Sequence, residues 1–439
     1  MTKARLRLVA FYLTVVSLGL GQNAIADVLP LQPIPQRGKL WCWAASSEMV
    51  LDYLAPGPVY RAAAGQCSLV RSLPQASCDC SAPDGFNMND PGCDQRTPFV
   101  PDDFVPKLIE NVQRTAPPAG TFKAISTNLL TCEIKTRRRP IVTWWRYPQK
   151  CKDAGHLVVA SGIEPGTNLG SLVLIQDPWP VEIGNTYWLT WRGFACGLQL
   201  SGHCVDYYDV QKSEGAPASC DASQPLDNTD CSQPSAEPAY QLSDVAATVA
   251  STLRDNPSIR HAIGVPDEFQ DLACNPQQLL RSARITFAPD GSEIVDKIGT
   301  SRLLCAARTS RASIGISIFL KDRGTNTWTI AGFGARQVTT FLQLYAKPLL
   351  RGQPGAPELY EVEIPSTGDI LLIAPNLADR PTIHFPLDQP HDTPLVPSEQ
   401  QPRSLKIVLG NDKVGGVKSE TLGSYLFALQ KTLQSDNKE

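Results

Sequence analysis

The chain has 439 residues, 42% of them hydrophobic, with 40 Lys and Arg against 43 Asp and Glu. The apolar share excludes a wholly disordered chain, and the balanced charge excludes the basic footprint of a nucleic-acid-binding protein. The length allows two domains or three.

The first 26 residues read as a secretory signal peptide. Lys3, Arg5 and Arg7 give a positive start, Leu8–Leu20 an apolar run, and Ala24-Ile25-Ala26 a small-residue cleavage site. The run is too short for a comfortable bilayer span, and no later run reaches the roughly 18 apolar residues of one, so no permanent membrane span is expected. Export to the periplasm or the medium puts the 13 cysteines in an oxidising compartment, where disulfides are expected, with one thiol left over by the odd count.

After an extended, proline-punctuated stretch at 27–40, Cys42–Leu54 carries Ala45, Met49, Tyr53 and Leu54 at helical spacing and ends at Pro56-Gly57-Pro58. Residues 65–100 are loop-rich and hold Cys67, Cys78, Cys80 and Cys93. Their gaps lack the paired spacing of a zinc ribbon, so disulfides are expected there rather than metal. Phe104–Val112 is expected as a helix. Pro140–Trp145, His156–Ile163, Leu172–Gln176 and Tyr187–Trp191 are short apolar runs bounded by Gly, Pro or Asp, as strands are. Arg137-Arg138-Arg139 reads as the solvated entry to the first of them, and Trp144 and Trp145 alternate faces along it, one toward the core and the other toward a cleft.

Residues 212–238 turn to Ser, Pro, Asp and Ala and read as a linker, within which Cys220 and Cys231 are expected to close a small loop. A further domain is expected over 239–439. Leu242, Val245, Val249 and Leu253 form a helical stripe, and two hairpins turn at Asp322–Asn326 and Ser366–Asp369. Helices near Gln337–Lys347 and Glu420–Leu433 complete it, with a bridge between Cys274 and Cys305. The expected class is α+β in two separate domains, 27–211 and 239–439.

The chemistry concentrates in the first. Cys42 opens the predicted helix, where the macrodipole and unpaired N–H groups favour a thiolate over a thiol of ordinary pKa about 8.5. A nucleophilic thiolate needs a base. His156 opens an apolar strand after Gly155, which is expected to clear space around the ring; His203, beside Cys204 in a polar turn, is the rival in this domain. Asp177 ends the next strand, and antiparallel pairing of the two strands brings it beside His156 to orient the ring and stabilise its charge. Gln36, six residues before Cys42, is the amide that supplies an oxyanion donor with the Cys42 N–H; Gln32 is the second choice. Each residue has a plainer reading: half of a disulfide, a core-edge histidine, the turn former of Asp-Pro, a surface amide.

These residues carry a resemblance. Gln36, the Trp-Cys-Trp-Ala-Ala block at 41–45, the Gly-His-Leu-Val-Val strand at 155–159 and Asp177-Pro178 occur in papain's order, with its six-residue step from amide to thiol. Over about Leu31 to Tyr208 the chain resembles bacterial papain-like cysteine peptidases, a group that includes secreted relatives of plant-pathogen effector proteases and, more distantly, bacteriocin-leader peptidases. Papain has Asn-Ser-Trp where this chain has Asp177-Pro178-Trp179. The resemblance implies a catalytic helix packed on a small antiparallel sheet and an exported endopeptidase. Its catalytic residues would be Cys42, His156, Asp177 and Gln36, its substrate a protein or peptide, with no cofactor or metal. A transpeptidase or amidase acting on peptide or peptidoglycan amides shares this chemistry, and a binding protein on a degenerate scaffold stands as the non-enzymatic alternative. The region after 239 resembles no family; binding a substrate or partner, tethering and restraint are the roles open to it.

Overall fold

The computed structural model describes residues 28–38, 41–54, 65–71, 111–114, 123–146, 155–179, 184–198, 202–211, 220, 226–227, 229, 231, 236–287, 293–336, 339, 359–364, 369–373, 382–385 and 407–408. The signal peptide, Cys78, Cys80, Cys93, Cys151, most of the expected helix at 337–347 and the whole of that at 420–433 lie outside them. Among the described residues no helix is long and apolar enough to cross a membrane.

The helices are α1 (Cys42–Leu54), α2 (Gln66–Arg71), α3 (Thr127–Thr131, continued by a π turn), α4 (Trp191–Ala195), α5 (Leu242–Asp255) and α6 (Pro257–Ala262). The strands are β1 (Asn111–Arg114), β2 (Ile141–Arg146), β3 (Gly155–Thr167), β4 (Gly170–Asp177), β5 (Asn185–Thr190), β6 (Gly202–Gln211) and β7 (Tyr240–Gln241), then β8 (Phe269–Phe287), β9 (Glu293–Thr309), β10 (Ser313–Asp322), β11 (Thr327–Gly334), β12 (Leu359–Ile364), β13 (Asp369–Ile373), β14 (Thr382–Phe385) and β15 (Ile407–Val408). They form one sheet in the order β1-β6-β2-β3-β4-β5-β11-β10-β9-β8-β12-β13-β14-β15, with β7 on β11. Its pairings are antiparallel except β8 with β12. The class is α+β.

The middle of the sheet explains the unbroken apolar run of β4. Val173 and Ile175 join the cluster that packs under α1, with Trp43, Met49 and Val50. Leu172 and Leu174 join the opposite cluster under α5, with Val245, Val249 and Leu253. A strand covered on both faces loses the polar alternation of a half-exposed one. The α5 stripe expected from spacing is the face that packs, while α1 buries eight residues and is apolar nearly all round.

The sheet does not stop where two domains were expected. β5 pairs with β11 at Leu189↔Gly332, Trp188↔Phe333 and Tyr187↔Gly334, and Trp188 of the first segment donates its indole N–H to the Ile259 carbonyl at 3.0 Å. β10 and β11 continue the sheet of the first half and share its cores. The described residues of the stretch 212–238 include some that are tied to the first half. Cys220 and Cys231 do not pair with each other; they bond to Cys132 and Cys196, and the Asp227 N–H donates to the Ala124 carbonyl. Cys274 and Cys305 do form a bridge.

Other local expectations change. Asn111 and Val112 lie in a strand, not a helix, because β6 offers them a ladder. His203 and Cys204 belong to that strand and are buried. The three arginines are not solvated: Arg137 pairs with Glu133 at 2.7 Å and with Asp209, Arg139 also pairs with Asp209, and Arg138 donates to the Val28 carbonyl. Trp144 and Trp145 are both buried. The room left by Gly155 is filled by the Trp144 indole rather than by the histidine ring.

Candidate active site

Three strands and one helix build the site. α1 starts at Cys42, and the Trp41 carbonyl accepts the Ala45 N–H at 2.9 Å, so the cysteine sits in the first turn, where N–H groups lack helical partners. Cys42 is partly exposed and is the only free cysteine among the described residues. One turn on, the Ser46 hydroxyl donates to the Leu157 carbonyl at 3.1 Å, which fixes α1 against β3 beside His156.

β3 and β4 pair antiparallel through Val159↔Gln176. Continued by one residue, that register sets Asp177 opposite position 158, with His156 two residues along on the same face. Such diagonal neighbours are within reach of long side chains. His156 Nε2 lies 2.6 Å from Asp177 Oδ1, and Cys42 is near enough to the ring to act on its protonation. Since Nε2 is taken by the carboxylate, Nδ1 is the nitrogen left for the sulfur. The two side chains of the His–Asp pair are 12% and 10% exposed. Burial alone pulls the imidazolium pKa down. Against it stand the charge and hydrogen bond of Asp177, followed by the hydrogen bond and charge of Cys42, and together these hold the ring's pKa at about 10. The ring therefore carries its proton across the neutral range.

Asp177 also makes the turn expected of Asp-Pro: Oδ1 accepts the Trp179 N–H at 2.8 Å. Oδ2 accepts the hydroxyl of Tyr187 at 2.7 Å. Gln36 is buried, and its backbone N–H donates to the Pro178 carbonyl at 2.9 Å, tying it to the loop that follows Asp177. Its Nε2 donates to the Gly38 carbonyl at 2.9 Å, and the Trp41 N–H donates to the same oxygen at 3.2 Å. One carbonyl thus gathers the Gln36 amide and the start of α1. The structure brings Cys42, His156 and Asp177 together, with His156 hydrogen-bonded to Asp177, and ties Gln36 to the loop after Asp177 and to the start of α1. His203 lies elsewhere, fully buried against Asp206.

Two residues at the site were not anticipated. Tyr187 was placed only as a strand residue; its alternation with Trp188 is the signal that puts it on the Asp177 face. Gln66 of α2 accepts the Arg37 N–H at 2.9 Å and donates to the Pro35 carbonyl at 2.9 Å and to Glu48 at 3.0 Å. It grips the strap on both sides of Gln36 and fastens it to α1. Burial pushes the Glu48 carboxyl above its ordinary pKa, partly offset by the Gln66 hydrogen bond. No local pattern marks a lone glutamine in a loop-rich stretch for this task.

No protein-family model, curated protein or solved structure matches the chain.

Proposed function

We propose that the chain is an exported, papain-like cysteine endopeptidase whose peptidase unit is built on α1 and β2 to β6. The observation that carries this reading is the free Cys42, at a helix start, beside an imidazole whose Nε2 holds a carboxylate at 2.6 Å. A nucleophile, its base and the group that orients the base, in hydrogen-bond reach of one another, are the signature of covalent acyl transfer. The disulfides support export.

In this reading the Cys42 thiolate attacks the peptide carbonyl carbon, and the C–S bond forms as the carbonyl electrons move to oxygen. The Cys42 N–H and the second Nε2 hydrogen of Gln36 receive the oxyanion. The imidazolium gives its Nδ1 proton to the amine as the C–N bond breaks. Neutral His156 then takes a proton from water, which attacks the thioester and releases the acid, and the proton on the ring restores the ion pair with sulfur. Asp177 holds Nε2 throughout and stabilises each protonated state of the ring.

The test is peptide hydrolysis by the mature chain and by Cys42→Ala. The variant is expected to fold as the parent does and to lose at least about 10⁴-fold in kcat. Full activity in the variant would end the reading.

A further inference from the structure

The mechanism above uses one oxygen of Asp177 and leaves the other unexplained. Oδ1 carries both His156 Nε2 and the Trp179 N–H, while Oδ2 accepts the Tyr187 hydroxyl at 2.7 Å. Tyr187 is 3% exposed, so its phenol needs a partner inside the protein, and it finds this carboxylate. The register Ile175↔Tyr187 sets Tyr187 diagonally across from Asp177 on the face that also bears His156. The carboxylate is therefore held from both sides, by β3 and by β5. A carboxylate fixed at one oxygen can turn about its Cβ–Cγ bond, whose torsion is broad. Fixing the second oxygen sets the plane of the group and so the direction of the lone pair that meets the ring.

What lies behind Tyr187 belongs to the second half of the chain. The next strand, β11, offers Gly334 opposite Tyr187 and Gly332 opposite Leu189. With no side chain at Gly334, the phenol ring reaches past β11 to Phe319 of β10, edge to face, with centroids 5.3 Å apart. Phe319 is the residue of β10 that turns toward the α1 side, while Ile316, Ile318 and Leu320 turn toward α5. The Arg302 guanidinium lies 4.9 Å from the Phe319 centroid, and Glu361 of β12 holds it by two hydrogen bonds of 2.8 and 2.9 Å. The row Asp177, Tyr187, Phe319, Arg302, Glu361 runs from the site into the region taken from sequence to be a detachable accessory.

We propose that Tyr187 is a positioning residue for Asp177, and that Phe319 holds Tyr187 in place, so that the second half of the chain completes the reactive site. Its consequence for hydrolysis rests on the peptidase reading; the positioning itself does not.

The test uses the mature full-length chain with Tyr187→Phe, which keeps the ring, with Phe319→Leu, and with both. The readouts are the His156 ring titration by NMR, the thermal midpoint and peptide hydrolysis. The titratable groups facing that ring are Asp177 from β4 and Cys42 from α1. Tyr187→Phe is expected to lower the ring's midpoint by roughly one pH unit, tenfold in the proton equilibrium. Hydrolysis should fall by up to about 100-fold, the scale of a small misplacement of a reacting group. Phe319→Leu should shift the midpoint the same way by less. In the Tyr187→Phe background it should shift it no further, while still lowering the thermal midpoint as it does in the parent. A ring midpoint unchanged or raised by Tyr187→Phe overturns the proposal, as does an additive shift in the double variant. If Phe319→Leu does not fold, Phe319→Met fills a similar volume and is read the same way. A shifted ring in a protein that hydrolyses no peptide leaves the positioning standing and removes the peptidase reading.

Discussion

Two of the histidine–aspartate pairs among the described residues are close to one another in length and very different in surroundings. His156 and Asp177 lie 2.6 Å apart with 12% and 10% of their side chains exposed; His203 and Asp206 lie 2.8 Å apart with none. Around the second pair every neighbour is structural. Asp206 accepts the Thr143 hydroxyl at 2.6 Å and the Ile125 N–H at 2.8 Å, and the His203 ring packs edge-on against Phe194. Around the first pair stand a free thiol and a helix start. A His–Asp contact is therefore not a site by itself. It becomes one where a nucleophile shares the ring and where a substrate can reach it. The first pair joins two strands at the place where α1 begins; the second fastens β6 to the segment before α3.

That contrast can be broken by substitution. His156→Gln is expected to cost at least about 10³-fold in hydrolysis, because it removes the acid and base of both half-reactions, and to leave the fold intact. His203→Gln is expected to do the reverse. Removing one partner of a buried polar contact costs about 1–3 kcal/mol, read as a lower denaturant midpoint, while kcat/KM of the folded fraction stays at the parent value. Equal losses of activity from both would show that the two pairs do not differ as described.

A smaller effect sharpens the link between the halves. Gly334 has φ of 131°, and a Cβ there would stand 2.8 Å from Tyr187 Cα. Gly334→Ala is expected to destabilise by about 1–3 kcal/mol and to lower the His156 ring midpoint along with it. A stable variant with an unchanged ring would detach β11 from the site.

The last effect is a slope of stability with pH. The folded-state pKa of His156, about 10, lies above the ordinary 6.5. Its contribution is fully present below pH 6.5 and is lost as pH rises through 10. The parent is expected to lose unfolding free energy steadily over that window, and His156→Gln to lose less. Equal slopes would remove the raised pKa from the account.

Much of the local structure was legible in the sequence. β2 to β5, α1, α5 and the hairpin of β10 with β11 follow from apolar period and turn residues, and antiparallel pairing was enough to expect Asp177 beside His156. What stayed hidden was set by contacts far apart in the chain. The Gly332-Phe333-Gly334 run reads as a strand giving out, whereas those glycines are what allow β11 to lie close against Trp188, Leu189 and Tyr187. The partners of Cys220 and Cys231 lie before the linker, and spacing does not specify disulfide connectivity. Arg137 and Arg139 look solvated until Asp209, more than a hairpin away, takes their charge. Tyr187 and Gln66 carry no motif, because residues that hold other side chains in place are selected by geometry alone.

The measurement that bears most directly on the site is alkylation of the native, oxidised mature protein at pH 6, followed by peptide mapping. The account predicts one rapid label, on Cys42, the free cysteine beside the His156 ring. Slow labelling of Cys42, a label on another cysteine, or a Cys42 found in a disulfide would contradict it.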